Sequence, residues 1–317
     1  MRDALSRLRD ERGAVNVMVA LLIIPLIGFA AISVDVAALW ADRQQLQTGA
    51  DAAALGIAQD CAKNDCAVPA ETAQDLATPN KNDGQVTATV VTSPVTPSTG
   101  SVTVKTSTVR EHWFAPVLGF EASDVGAKAT AAWGAPSGGL AQLPLAFSYC
   151  EFLAQTGGGL PSNTTEYTIK FTKDSGTTCT GPSGNAVPGG FGWLDVNQAS
   201  CTTFSSIDEV LWSSTGVAVP NGCTTADFAE LQGKTVLLPI FDEAGDEGSN
   251  AWYRLYGYAA FTITGYYFGG QFKWSATCSG EDRCVQGYFT KFVDLSEAFT
   301  YSTSAPGLGA SVVSLKP

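Results

Sequence analysis

From Ala14 to Val34 the chain runs for twenty-one residues without a charge. A helix over that stretch rises about 31 Å, matching the hydrocarbon core of a bilayer. Arg2, Arg7, Arg9 and Arg12 precede it, and Asp35 and Asp42 follow it. Basic residues in short loops stay in the cytoplasm, which predicts a single-pass cell-membrane protein. Its N-terminus is expected inside the cell and roughly 280 of its 317 residues outside. The lipid bilayer is then the first expected partner.

A cleaved signal peptide competes with this reading, because small residues cluster at Gly28-Phe29-Ala30. Two observations oppose it. The apolar run exceeds a usual signal core of about 7–15 residues. The helical pattern also continues past any cut: Val36, Leu39, Arg43, Leu46, Ala50, Ala53 and Ile57 recur at spacings of three and four. Asp42, Gln44, Gln45, Gln47 and Asp51 fall off that seam. We expect one helix from Ala14 to about Gln59, with Pro25 tolerated inside the lipid half. Leu39, Leu46, Ala53 and Ile57 are the residues expected to pack on partner helices.

Charge and cysteine usage narrow the rest. The net charge is −12, and 1–12 contribute about +1 (four Arg against Asp3, Asp10 and Glu11), so the remainder is more acidic still. No basic patch is visible, which argues against nucleic acid as a partner. All eight cysteines follow the anchor. An even number confined to that side reads as disulfides in an oxidising compartment. Cys61–Cys66 and Cys278–Cys284 are the expected local bridges; spacing leaves the connections of Cys150, Cys179, Cys201 and Cys223 open. Zinc is the rival, but there is no CxxC and His112 is the only histidine. No metal and no cofactor are expected.

The stretch Arg12-Gly13-Ala14-Val15, the apolar run, and Val34-Asp35-Val36-Ala37-Ala38-Leu39-Trp40-Ala41-Asp42-Arg43-Gln44-Gln45-Leu46-Gln47-Thr48-Gly49-Ala50-Asp51-Ala52-Ala53-Ala54-Leu55 resembles the N-terminal segment of TadE/TadG-like proteins. These belong to the tight-adherence (Flp) pilus-assembly system. The resemblance is strongest over about 10–60 and weaker over 61–134, where Trp113-Phe114-Ala115-Pro116-Val117-Leu118-Gly119 lies between strand patterns. Pro188-Gly189-Gly190-Phe191-Gly192-Trp193-Leu194-Asp195 looks similar to C-terminal regions of actinobacterial members. The resemblance implies a membrane-anchored accessory or minor component, with other Tad/Flp pilus-assembly or pilin subunits as partners. Met18 stands where prepilin-type processing after Gly13 would want Glu, so such cleavage is not expected. Asp294-Leu295-Ser296-Glu297-Ala298 lacks the last serine of a DxSxS motif, so no von Willebrand A-type domain is expected.

Beyond the helix, Pro69 and Pro79 end helical patterns. Alternation at Gln85–Val90 and Ser101–Lys105 predicts two strands, joined through Ser93–Gly100. Glu111–Leu118 reads as a short helix interrupted near Pro116, and Asp124–Trp133 as a third strand. Gly134-Ala135-Pro136-Ser137-Gly138-Gly139 reads as the domain boundary. After it, Thr235–Phe241, Ala251–Phe268 (bending or bulging at Gly257 or Gly265) and Val285–Val293 read as strands. The expected architecture is a membrane-anchored α+β chain: 1–13 a basic cytoplasmic segment, 14–34 a transmembrane helix, 35–134 an amphipathic helix with a small antiparallel, pilin-like α+β region, and 135–317 a β-rich, disulfide-stapled extracytoplasmic domain, with a sandwich as one form it could take.

Catalytic signals are weak. Histidine-dependent triads would rest on His112 alone, between Glu111 and Trp113, where a structural role is expected. Asp242-Glu243-Ala244-Gly245-Asp246-Glu247-Gly248-Ser249-Asn250 is the densest acidic cluster, but it departs from EF-hand spacing and reads as a solvated turn. Asp195, Glu209, Asp242 and Glu243 form no carboxylate pair that spacing singles out. Gly157-Gly158-Gly159 and Pro188-Gly189-Gly190 match no phosphate-cradling pattern. The aromatic run Trp252–Phe268 reads as core packing; by period two, Trp252, Tyr256, Tyr258 and Tyr266 share one parity and Tyr253, Phe261 and Tyr267 the other. The expected function is non-enzymatic, in Flp pilus assembly. The alternative is a membrane-tethered surface-binding (carbohydrate or protein) or hydrolytic module that shares only the anchor.

Overall fold

The structure is a computed structural model that describes residues 11–92, 95–196, 200–213, 215–246, 248–296 and 298–316, with 11–14 as backbone only. Arg2, Arg7 and Arg9 of the basic segment lie outside the described residues, as do Ser93 and Pro94 of the strand connection, Glu247 of the acidic cluster and Glu297. The chain divides into two compact units. The first takes residues up to Ala54 with Ala70–Val91 and Thr103–Ala129; the second takes Leu55–Pro69, Thr92–Val102 and Thr130 onward.

Helix α1 spans Glu11–Ala62 without interruption, with Pro25 inside it. Its N-terminal part from Val15 is apolar and long enough to cross a membrane, and none of that apolar window is buried by the protein. In the first unit, α1 is joined by α2 (Pro69–Ala77), β1 (Thr87–Val90), β2 (Gly100–Glu111, from Thr103) and β3 (Ala122–Ala141, to Ala129). Strand β1 runs antiparallel to β2, from Thr87 opposite Ser107 to Val90 opposite Val104, and β3 lies on the other side of β2. Small side chains let the elements approach. A Cβ on Gly49 would stand 3.3 Å from the carbonyl oxygen of Ala77, so a larger residue would push α2 away from α1. The Thr106 hydroxyl donates to the Leu46 carbonyl at 2.8 Å, fastening β2 to the helix. Gln74 ties α2 to the start of β1: its amide donates to Val86 O at 2.9 Å and its carbonyl accepts from Ala88 N at 3.0 Å.

The stripe that α1 buries in this unit differs from the expected seam. Val36 and Arg43 are exposed, while Asp35, Asp42, Leu46, Ala50 and Ala53 are buried. Asp42, expected off the seam, is on it. The expected short helix at Glu111–Leu118 is also shorter: Glu111 ends β2, and only Ala115–Leu118 winds, as a 3₁₀ turn.

In the second unit the strands after β3 are β4 (Leu145–Ser148), β5 (Tyr167–Lys170), β6 (Thr178–Thr180), β7 (Ala186–Pro188), β8 (Phe191–Trp193), β9 (Thr203–Ser206) and β10 (Val210–Trp212). They are followed by β11 (Thr235–Gly245), β12 (Trp252–Gly269), β13 (Phe272–Trp274), β14 (Cys284–Thr290), β15 (Phe292–Asp294), β16 (Phe299–Ser302) and β17 (Ala310–Lys316). One sheet runs β5-β14-β12-β11-β4-β8, with β10 and β13 also on β12. Another is built on the C-terminal half of β3, with β17 and then β15 beside it and β16 and β9 pairing its end.

The β11–β12 hairpin is buried on both faces. Val236, Leu238, Ile240, Ala259, Phe261 and Ile263 face one core with Phe147, Phe191 and Trp193. Leu237, Tyr258 and Ala260 face another, shared with Phe299, Ala310 and Val312 of β16 and β17. Two sheets therefore pack face to face here. The bulge expected at Gly257 or Gly265 occurs near both, with register shifts opposite Ile240–Glu243 and between Ile263 and Gly265. The second shift moves the downstream side chains to the other face. Tyr266 and Phe268 consequently join Phe261 and Ile263 in one core rather than sharing a face with Tyr258.

The Gly134–Gly139 stretch, read as the domain boundary, lies inside β3, shortly after the division between the units at Ala129 and Thr130. Its glycines serve close approach, not freedom: a Cβ on Gly139 would stand 2.5 Å from Ala298 O, and one on Gly138 would stand 3.2 Å from Ser205 O. The eight cysteines form four disulfides, Cys61–Cys66, Cys150–Cys179, Cys201–Cys223 and Cys278–Cys284.

Candidate functional site

The most constrained polar arrangement in the first unit begins at Asp35, the first charge after the apolar run. After β2, His112 N donates to Glu121 O at 2.9 Å and closes an eight-residue loop, Trp113–Phe120. The chain turns back at Gly119, whose φ of 92° is a left-handed value that a glycine adopts without strain. The 3₁₀ turn leaves its leading amides without partners of their own. Trp113 N donates to Asp35 Oδ1 at 2.9 Å; Phe114 N and Ala115 N donate to Oδ2 at 2.9 and 2.7 Å. One carboxylate from α1 thus caps a turn about eighty residues away in sequence. Burial pushes the Asp35 pKa up, but the three amide donors outweigh it, assisted by the His112 charge, and hold it below the ordinary aspartate value.

Tethered in this way, the loop exposes apolar side chains: Trp113, Phe114, Val117, Leu118 and Phe120 all face outward, Val117 at 90% exposure. His112 Nε2 and the Ser123 hydroxyl are 2.8 Å apart, which fixes the ring at the loop's base.

Seven residues, or about two turns, further along α1 is Asp42, 4% exposed. Its Oδ1 is 2.9 Å from Lys81 Nζ, which also lies 2.8 Å from Asp83 Oδ2, and Arg110 stands 3.5 Å from Asp42 Oδ2. Burial pulls the Lys81 pKa down, but its hydrogen bonds to Asp83 and Asp42 more than offset this and leave it raised. The Arg110 guanidinium in turn lies 5.2 Å from the centre of the Trp113 ring. Asp42, Arg110 and Trp113 therefore link the ion-pair cluster to the loop that Asp35 holds. A shallow groove of about 330 Å³ opens over the cluster, walled by Ala38, Ala41, Gln45 and Asn82. Its charges are held in ion pairs within the cluster, an arrangement that fixes its geometry.

Of the expected helix-packing residues, Leu46, Ala53 and Ile57 are buried in the protein's own fold and Leu39 is half-buried. Sequence periodicity missed Asp35 and Asp42 because it scores a carboxylate as outward-facing. Their spacing of seven, continued by the buried Gly49, is the signal that would have found them.

In the second unit the polar candidates serve the framework. Asp242 accepts from Ser183 N at 3.0 Å; burial raises its pKa, and the neighbouring Glu243 charge adds to that. Glu151 accepts from Gly190 N at 2.6 Å and is raised by burial. Tyr258 and Ser205 share a buried hydrogen bond of 2.7 Å, and burial pushes the phenol up to about 12. A groove of about 650 Å³ opens beside Lys173, Asp246 and Tyr253. Among the described residues, no group of three or more His, Cys, Asp and Glu side chains is placed to hold a metal ion.

Comparison with curated proteins and with solved structures finds no match. Comparison with protein-family models does: residues 13–60, which include Asp35 and Asp42, match the family described as putative Flp pilus-assembly TadE/G-like.

Proposed function

We propose that this protein is a single-pass envelope component of Flp-type pilus assembly, acting as an accessory or minor pilus subunit without catalysis. The observation that carries the reading is the coincidence of the family match over 13–60 with an apolar stretch of α1 that the described residues leave unburied. In this reading 14–34 span the membrane, the basic N-terminus stays in the cytoplasm, and the disulfide-bearing part is displayed outside, where thiols oxidise. The helix-on-sheet plan of the first unit supports a pilin-like role, and its outward contacts fall to other pilus-assembly or pilin subunits. Deleting the gene and counting surface pili by electron microscopy tests this. Pili should be lost or sparse and return on complementation; normal piliation without the gene would refute it. The groove beside Lys173 favours a second reading, a tethered surface-binding module, which glycan binding by the full chain would support.

A further inference from the structure

We propose that the loop Trp113–Phe120 is a second, non-covalent membrane contact, lying in the headgroup and upper acyl region of the same bilayer that α1 enters. The inference rests on the membrane-spanning reading of α1 given above.

The depth argument comes from Asp35. It is the residue after Val34, where the uncharged run ends, so its carboxylate stands at the edge of the hydrocarbon. Three loop amides lie within 2.7–2.9 Å of that carboxylate. The loop therefore cannot lie far above the membrane if α1 crosses it. A helix rises about 1.5 Å per residue, so even Trp40 stands only about 7.5 Å beyond Asp35.

The composition argument is independent. Trp113 to Phe120 reads Trp-Phe-Ala-Pro-Val-Leu-Gly-Phe, without a charge, between Glu111 and Glu121. Its bulky side chains point outward while its backbone is tied inward, the reverse of what a water-facing loop of this size does. Trp40 on α1 is also exposed, at 66%, matching Trp113 at 66%. Tryptophans at this level form the aromatic belt of a membrane–water interface. Arg110, over the Trp113 ring, places a cation where lipid phosphates lie. Asp35 then has a positioning role: it sets the loop's depth and keeps the amide donors satisfied where water is scarce.

The test uses the full chain in phosphatidylcholine–phosphatidylglycerol vesicles containing acyl-brominated lipid, which quenches nearby indoles. The difference between wild type and Trp113→Phe isolates one of seven tryptophans. Its emission should fall roughly twofold when bromine is near the glycerol end and less at mid-chain, as an interfacial ring requires. Phe29→Trp, halfway between the centre of the span and its outer end, reports α1 itself and should be quenched most at mid-chain. Phe29→Trp quenched with Trp113 unquenched overturns the loop proposal and leaves the anchor standing, and is also the result expected if a protein partner is what covers the loop. Phe29→Trp unquenched overturns the anchor reading, and the loop proposal with it. Val117→Asp with Leu118→Asp should abolish Trp113 quenching while the vesicles still float with the protein; persistent quenching would count against burial of the loop.

Discussion

Around α1 in the first unit, the buried apolar side chains are small, chiefly Ala50, Ala53, Ala73 and Ala77 with Leu46, and the directional bonds come from Asp35, Asp42, Lys81, Gln74 and Thr106. In the second unit, Phe147, Phe191, Phe261 and Phe289 interlock edge to face, with ring centres 5.0–6.3 Å apart, and the unit carries four disulfides. Alanine buries little area, so a unit built on it gains modestly from burial and relies on paired polar groups for its geometry. The aromatic unit gains from area and from restriction of its unfolded chain. The contrast predicts that each unit fails through a different kind of substitution.

The largest loss should follow Trp193→Ala, which empties a fully buried site against Phe191 and Phe268. We expect about 3–5 kcal/mol, read as denaturant-dependent hydrogen exchange across β8, β11 and β12. Protection at Trp113–Ala115 should hardly change; an equal loss there would erase the contrast. Disulfide removal comes next. By chain entropy, the bridges of sequence separation 29 and 22 (Cys150–Cys179 and Cys201–Cys223) contribute about 3.5 kcal/mol each, and those of separation 5 and 6 about 2. Paired Cys→Ser variants compared by urea unfolding test that order. Lys81→Met should cost roughly 3 kcal/mol, because it strands Asp42 with only Arg110 at 3.5 Å. Its damage should be confined to the first unit, and restoration by Asp42→Leu in the same chain would show that the stranded charge is the cause.

The sequence made the second unit legible as β-rich because β-branched and aromatic residues alternate there, and the bend of β12 because glycines interrupt it. At Gly134–Gly139 the glycines marked a change of texture close to the division between the units at Ala129 and Thr130, but not that the stretch itself is strand; only the close neighbours Phe299 and Ser205 reveal that. Parity placed Tyr266 with Tyr258, since an extra residue at a bulge has no signature in a period-two count. At the site, the continuity of α1 could be read from spacing, but the Asp35 tether could not. Its three donors are backbone amides, which carry no residue identity, and they stand 78, 79 and 80 positions away. The pairings Cys150–Cys179 and Cys201–Cys223 depend in the same way on contacts distant in sequence.

The smallest predicted effect distinguishes the units by sign. Asp35 has a lowered pKa in the fold, so its contribution is complete above the ordinary aspartate value of about 3.9 and fades as pH falls through the lowered one. Glu151 is raised by burial, so it favours the folded state below its ordinary value of 4.5 and loses that advantage as pH rises through the raised one. Between pH 6 and 3, hydrogen exchange corrected for intrinsic rates should show Trp113–Ala115 loosening in acid while the segment around Gly190 tightens. Asp35→Asn should flatten the first trend and Glu151→Gln the second, each without touching the other. If both segments loosen together in acid, and still do so in the two variants, the opposite-sign account fails and a global acid transition takes its place.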